Sequence, residues 1–273
     1  MMVVMFRSIP AAFQQGEPMA DNRSILDHPA ISGVYFFPQP RLVDDPFVVK
    51  VEVAELACHR RVVDPNTFTL VHFHGNGECV ADYVSDMADV FERMGLNTLF
   101  VEYREYGGST GNAQLVAMLG DGEAVLKAAG LAPEKVIVFG RSIGSLYGIE
   151  MAYRQPDIAG LIIESGIAHP AERFLAHADL DAAGLNKADV QAEVERHFNH
   201  QAKLKSYRNP LLILHTEKDG LIDISHAERN LAWSVSSRKQ LVRFPMGNHN
   251  SILPVNFREY LSAVRHFVET VIQ

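Results

Sequence analysis

The chain has 273 residues, of which 47% are hydrophobic and 21% charged, with a formal net charge of −8. That length supports one large core or two small ones. The acidic balance argues against general affinity for nucleic-acid backbones or anionic membranes. No run approaches the ~18 apolar residues of a membrane span, and the short apolar start lacks the basic flank and length of a secretory leader.

Residues 1–22 read as a flexible N-terminal extension. A second start-like methionine, Met19, opens the segment that precedes the patterned chain, so residues 1–18 stand apart. Residues 23–273 read as one domain. Two apolar segments, 33–37 and 47–53, are separated by Pro-rich and charged stretches and predict antiparallel strands leading into a sheet. Alternation then becomes regular. Strands are predicted at 69–73 (TLVHF), 97–102 (NTLFVE), 135–139 (KVIVF), 160–163 (GLII), 211–214 (LLIL) and 241–244 (LVRF). Helical patterns fall at 79–94, 113–129, 143–153, 225–234 and 255–271. Strand and helix in alternation predict an α/β architecture, a mostly parallel, doubly wound sheet with right-handed crossovers. More than a simple crossover separates the strands at 160–163 and 211–214. The intervening residues, about 167–206, are rich in Ala, Glu, His and Lys and predict a helical insertion, a lid over the C-terminal edge of the sheet.

Two cysteines, Cys58 and Cys79, form no CxxC pair. They read as free thiols of a cytoplasmic protein. His72 and His74 form an HxH pair, but no further ligand lies at a metal-like spacing. No metal and no organic cofactor is expected.

Four short motifs carry chemistry, each in the loop after a predicted strand. Gly140-Arg141-Ser142-Ile143-Gly144 matches G-x-S-x-G between a strand and a helix. A strand–turn–helix elbow forces its central serine into a strained, exposed position, so Ser142 is the candidate nucleophile. His74-Gly75-Asn76-Gly77-Glu78 follows the strand TLVHF, where fixed backbone N–H groups could hold an oxyanion. His215-Thr216-Glu217-Lys218-Asp219 follows LLIL and supplies a carboxylate. Asp223 competes with Asp219, although it could instead cap the next helix. Gly247-Asn248-His249-Asn250 follows LVRF. His249 is singled out among 12 histidines by its place in a glycine-containing loop before the last helix, with His215 and His226 as weaker alternatives.

Together these residues resemble the α/β-hydrolase superfamily, in its serine-hydrolase branch with an HGN loop and a GRSIG elbow. The resemblance includes the segment Tyr103-Arg104-Glu105-Tyr106-Gly107-Gly108-Ser109-Thr110-Gly111, with Glu105 where glycine is usual. It covers roughly residue 34 to the C-terminus. It implies an α/β-hydrolase fold and a Ser142–His249–Asp219 triad in the chain order that fold uses. It also implies an oxyanion hole made by the backbone N–H groups of Asn76 and Ile143. Gly75, Glu78, Tyr103 and Arg141 are candidates to line the pocket, Glu78, Arg141 and Glu164 could pair with one another, and Phe174 and Leu175 are further pocket candidates. His74 is expected to brace its loop. The implied reaction is cleavage of a carboxylic ester, with thioesters or amides possible, on a small acyl substrate. The alternative is a non-catalytic protein of the same fold that binds a ligand or partner.

Overall fold

The computed structural model describes residues 24–273; the expected extension at 1–22 lies outside the described residues. An eight-stranded sheet runs through the domain in the order β1-β2-β4-β3-β5-β6-β7-β8. Its strands are β1 (Phe47–Val51), β2 (Ala54–Arg61), β3 (Thr69–Phe73), β4 (Asn97–Val101), β5 (Val136–Arg141), β6 (Gly160–Glu164), β7 (Leu211–Thr216) and β8 (Lys239–Phe244). β1 and β2 form an antiparallel hairpin, and β2 is antiparallel to β4. Every later pairing is parallel. The mostly parallel sheet with antiparallel N-terminal strands is the one the alternation predicts.

Strand periodicity divides the core. On β5, Val136 and Val138 join one apolar cluster and Ile137 and Phe139 the other; on β7, Leu211 and Ile213 oppose Leu212 and Leu214 in the same way. Period-2 alternation buries both faces, so these strands read as continuous apolar runs. One face is covered by α2 (Asp86–Glu92) and α10 (Phe257–Ile272). The other packs against α3 (Asp121–Ala129) and α4 (Gly144–Arg154).

Four expectations change. The segment 33–37 is not a strand: α1 spans Pro29–Tyr35, with Pro29 at its first position and the His28 ring accepting from Ala30 N–H at 3.2 Å. Proline at that position costs no helical hydrogen bond, which offsets the strand-like composition that follows. The helix predicted from 113 begins only at Asp121. Ahead of it, the N–H groups of Leu115, Val116 and Ala117 donate to Ser32 Oγ (3.0 Å), Asp27 Oδ1 (2.7 Å) and Asp27 Oδ2 (3.1 Å), which ties this stretch to the N-terminal segment. The helix predicted from 79 resolves into a single 3-10 turn at Val80–Asp82, capped by the Cys79 N–H bond to Asp82 Oδ2 (3.0 Å), followed by α2. The closing helix divides into α9 (Ile252–Val255) and α10.

Between β6 and β7 lie α5 (Pro170–His177), α6 (Lys187–Phe198) and α7 (His200–Ser206). Asn186 and Asn199 cap the last two, accepting from Ala188 N–H at 2.7 Å and Ala202 N–H at 2.8 Å. α5 touches the loop after β7 through Arg173 Nη1, which donates to the Leu221 carbonyl at 3.1 Å. Both cysteines are buried and free. Among the described residues no helix is long and apolar enough to cross a membrane.

Candidate active site

In a parallel sheet, the loops that follow the strands gather at the C-terminal edge. Here the loops after β3, β5, β7 and β8 bring the four motifs to that edge.

The turn from β5 into α4 is tight. Ser142 has φ of 52°, a left-handed conformation that residues with a Cβ adopt at a cost of about 1–2 kcal/mol. Its N–H donates to the Glu164 carbonyl at 2.8 Å, which anchors the turn to β6. The flanking glycines leave no space for a side chain. A Cβ on Gly140 would lie 2.6 Å from the Gly144 carbonyl oxygen, and one on Gly144 would overlap the Phe73 carbonyl. Strand and helix therefore approach each other closely enough to lift Ser142 out of the sheet.

Three side chains form a hydrogen-bonded line. Ser142 Oγ lies 2.8 Å from His249 Nε2, and His249 Nδ1 lies 2.7 Å from Asp219 Oδ2. Asp219 Oδ1 accepts from the N–H groups of Leu221 (2.9 Å) and Ile222 (2.8 Å), so the carboxylate is held at both oxygens. Burial works to raise the Asp219 pKa. The hydrogen bond and charge of His249, with those two backbone N–H groups, outweigh it and hold the carboxyl below the ordinary value. Asp223 does not reach His249; it caps α8 (Ile224–Trp233), accepting from Ser225 N–H at 2.9 Å. His215 is turned to the Ile222 carbonyl (2.8 Å), and the His226 ring accepts from Ala168 N–H (3.0 Å).

The histidine loop is fixed by its own polar groups. Thr216 Oγ1 bonds the carbonyls of Met246 (3.1 Å) and Gly247 (3.0 Å), and Asn256 Nδ2 donates to Met246 O at 3.0 Å. Neither role stands out in the sequence: Thr216 reaches a loop 30 residues further on, and Asn256 reaches back ten residues from the start of α10.

The Asn76 side chain is clamped. Its Oδ1 accepts from Phe37 N–H (2.9 Å) and Tyr106 Oη (2.8 Å), and its Nδ2 donates to the Tyr35 carbonyl. Such a clamp sets the direction of the loop backbone. His74 points inward, with Nε2 2.8 Å from Glu102 Oε1 and Nδ1 2.8 Å from the Gly75 carbonyl. Tyr103 is buried behind the loop, where its hydroxyl donates to the His74 carbonyl at 2.7 Å. Phe174 is 1% exposed and packs between Tyr35 and Phe198.

Glu78, Arg141 and Glu164 do pair with one another. Arg141 Nε donates to Glu164 Oε1 at 2.9 Å, and Nη1 pairs with Glu78 Oε1. Burial works against the Arg141 charge, but Glu164 and then Glu78 outweigh it and raise the pKa above its ordinary value. A cavity of about 310 Å³ lies behind this cluster, lined by His72, Tyr83, Phe139, Arg141, Glu164 and Asn250 among others. Ser142 does not line it, so it is separate from the Ser142–His249 pair.

Comparison with solved structures settles the architecture. Est1E from Butyrivibrio proteoclasticus, in a structure with ferulic acid bound, superposes with a TM-score of 0.69 at 17% identity, covering 83% of this chain and 99% of that one. The Pyrococcus furiosus esterase Pf2001 gives a TM-score of 0.67 at 18% identity over 87% of this chain and 99% of that one. The chain has an α/β-hydrolase fold.

Alpha/beta hydrolase domain-containing protein 17B of Homo sapiens is 28% identical over 176 residues. That match covers 63% of this chain and 57% of the relative's length. No protein-family model matches the chain. Within the α/β-hydrolase fold, Ser142, Asp219 and His249 occupy the loops after β5, β7 and β8, and Asn76 the loop after β3.

Proposed function

We propose that the protein is a serine hydrolase that cleaves carboxylic esters of small acyl substrates through an acyl-enzyme. The observation that carries this reading is the unbroken line from Ser142 Oγ through His249 to Asp219, at 2.8 and 2.7 Å. Those distances are within reach for proton transfer from nucleophile to base and for orientation of the base by the acid.

In this reaction His249 Nε2 takes the Ser142 proton as Oγ attacks the ester carbonyl. The carbonyl π electrons move to oxygen, and the N–H groups of Ile143 and Asn76 stabilise the resulting oxyanion. The tetrahedral intermediate collapses, the C–O bond to the alcohol breaks, and His249 donates its proton to the leaving oxygen. Water then attacks the acyl-enzyme by the same route and releases the acid and free Ser142. Asp219 keeps Nδ1 protonated and stabilises the transient imidazolium. The helices between β6 and β7 act as a cap at this edge, an assignment supported by the Arg173 contact with the acid loop.

The test is labelling with a fluorophosphonate, followed by p-nitrophenyl esters and thioesters of graded acyl length. Label is expected on Ser142 alone. Ser142→Ala, His249→Ala and Asp219→Asn are each expected to lower kcat by about 10³-fold or more. Folded wild-type protein that leaves Ser142 unlabelled and matches Ser142→Ala on every ester would defeat the proposal and favour a ligand-binding role for the fold.

A further inference from the structure

We propose that Arg141 is a positioning residue that locks the oxyanion loop and the base loop to each other around the nucleophile. The inference rests on the hydrolase reading above and adds a role for the residue next to Ser142.

One guanidinium holds three separate segments. Nε bonds Glu164 Oε1 on β6 at 2.9 Å, Nη1 pairs with Glu78 Oε1 on the oxyanion loop, and Nη2 donates to the His249 carbonyl at 3.0 Å. Each limb continues to a group of consequence. Glu78 Oε2 accepts from Gly75 N–H at 2.6 Å, one residue from the Asn76 amide, and from Tyr83 Oη at 2.6 Å. The Glu164 carbonyl receives Ser142 N–H, and its Oε2 takes the Tyr260 hydroxyl. The His249 carbonyl belongs to the base itself. Through Arg141, the nucleophile, the base and the neighbour of an oxyanion donor share one rigid fork.

The packing leaves little slack at the root of the fork: Arg141 is 9% exposed and Glu164 3%, while the Glu78 side chain is 25% exposed. A Cβ on Gly75 would overlap Arg141 Nη1 and lie 2.7 Å from Glu78 Oε2, so the ion pair runs directly beneath the loop. Buried, charge-assisted bonds of this type fix geometry because breaking one leaves an unpaired charge. A planar fork can serve three acceptors in different directions; an ammonium is a point charge and cannot span them. Displacement of a reacting group by about 1 Å can cost ~10²-fold in rate.

Arg141→Lys keeps the charge beside Glu164 and removes the span. Wild type, Arg141→Lys and Glu78→Gln are compared by thermal unfolding, by kcat and KM on a p-nitrophenyl ester, and by NMR of 15N-labelled histidine side chains. Arg141→Lys is expected to fold with a lowered melting point, to lose at least tenfold in kcat with KM changed less than threefold, and to displace or broaden the His249 ring resonances. A residue that only stabilises the fold would shift the melting point and leave the other two readouts in place. Activity within twofold of wild type in a folded variant overturns the proposal, as does a loss confined to KM. If Arg141→Lys does not fold, Glu78→Gln decides by the kcat and KM thresholds alone, since it weakens only the oxyanion limb. If wild type itself leaves Ser142 unlabelled, the hydrolase reading fails and the NMR alone judges the tie. Unchanged His249 resonances in Arg141→Lys then overturn it, and displaced ones uphold it.

Discussion

Ser142 carries two separable properties, a hydroxyl that we propose as the nucleophile and a left-handed backbone with φ of 52°. Ser142→Ala removes the hydroxyl and keeps the Cβ that makes this conformation costly. Ser142→Gly removes both. Left-handed geometry costs a residue with a Cβ about 1–2 kcal/mol, partly offset by the greater entropy glycine loses on folding. Ser142→Gly is therefore expected to be about 1 kcal/mol more stable than Ser142→Ala in urea unfolding, with both inactive; equal midpoints would show that the elbow stores no strain. Glu105 has the same backbone sign, with φ of 72°, at the position where the resembled segment usually has glycine. The motif residues were legible in the sequence because each follows an apolar strand run and precedes a helix. Their supporting partners were not. Thr216 acts on Met246 and Gly247, Arg141 on the His249 carbonyl, and Asn76 on Tyr35 and Phe37. Such contacts are set by tertiary convergence, which leaves no periodic trace along the chain.

At the scale of elements, α8 is tied to the loop between β6 and α5 by a proton-sensitive bond. His226, 5% exposed, accepts from Ala168 N–H at 3.0 Å, which requires a bare Nδ1. Burial and then Arg229 lower its pKa to about 4 from an ordinary 6.5, against the opposing pull of Glu172; His169 and His215 lower it further. The unfolded chain thus takes up a proton that the native state refuses between pH 6.5 and 4. Stability falls as pH drops through that window, by up to about 1.4 kcal/mol per pH unit from this group. His200, buried and lowered to about 3, adds a similar slope over a wider range. His226→Asn keeps an acceptor near Ala168 and does not titrate. Its urea midpoint is expected to fall less steeply than wild type from pH 6.5 to 4, and parallel curves would exclude His226 as a source of acid sensitivity. The parallel strands were readable because burial on both faces makes them continuous apolar runs. β2 escaped notice: its sequence AELACHRR mixes charge with apolar residues, as suits a strand whose last three residues are only half-buried. α1 escaped because a proline and a histidine cap, not periodicity, start it.

Across the whole molecule, the N-terminal segment and the helices between β6 and β7 form one layer that ends on the site. Ser24 Oγ donates to Glu193 Oε2 at 2.5 Å, and the Tyr35 hydroxyl donates to the Arg173 carbonyl. Phe174 is the apolar centre of this layer, edge-on to Tyr35 at 4.7 Å between ring centroids and to Phe198 at 5.7 Å. The same segment holds Asn76 through the Tyr35 carbonyl and Phe37 N–H. Phe174→Ala should cost about 3–5 kcal/mol in a site this well packed. The layer shares its apolar cluster with one face of the sheet, but the strands are also held by their backbone ladder and by the separate cluster on the opposite face, so the loss falls first on the layer. Hydrogen exchange should therefore accelerate together in residues 24–37 and 170–198, while β3, β5, β6 and β7 keep their protection. Because the loosened segment also clamps Asn76, ester turnover should fall even though Phe174 touches none of the reacting groups. Acceleration confined to 170–198, with 24–37 as protected as in wild type, would mean that the insertion opens alone and that the N-terminal segment is anchored by Asp27 and its bonds to Val116 and Ala117.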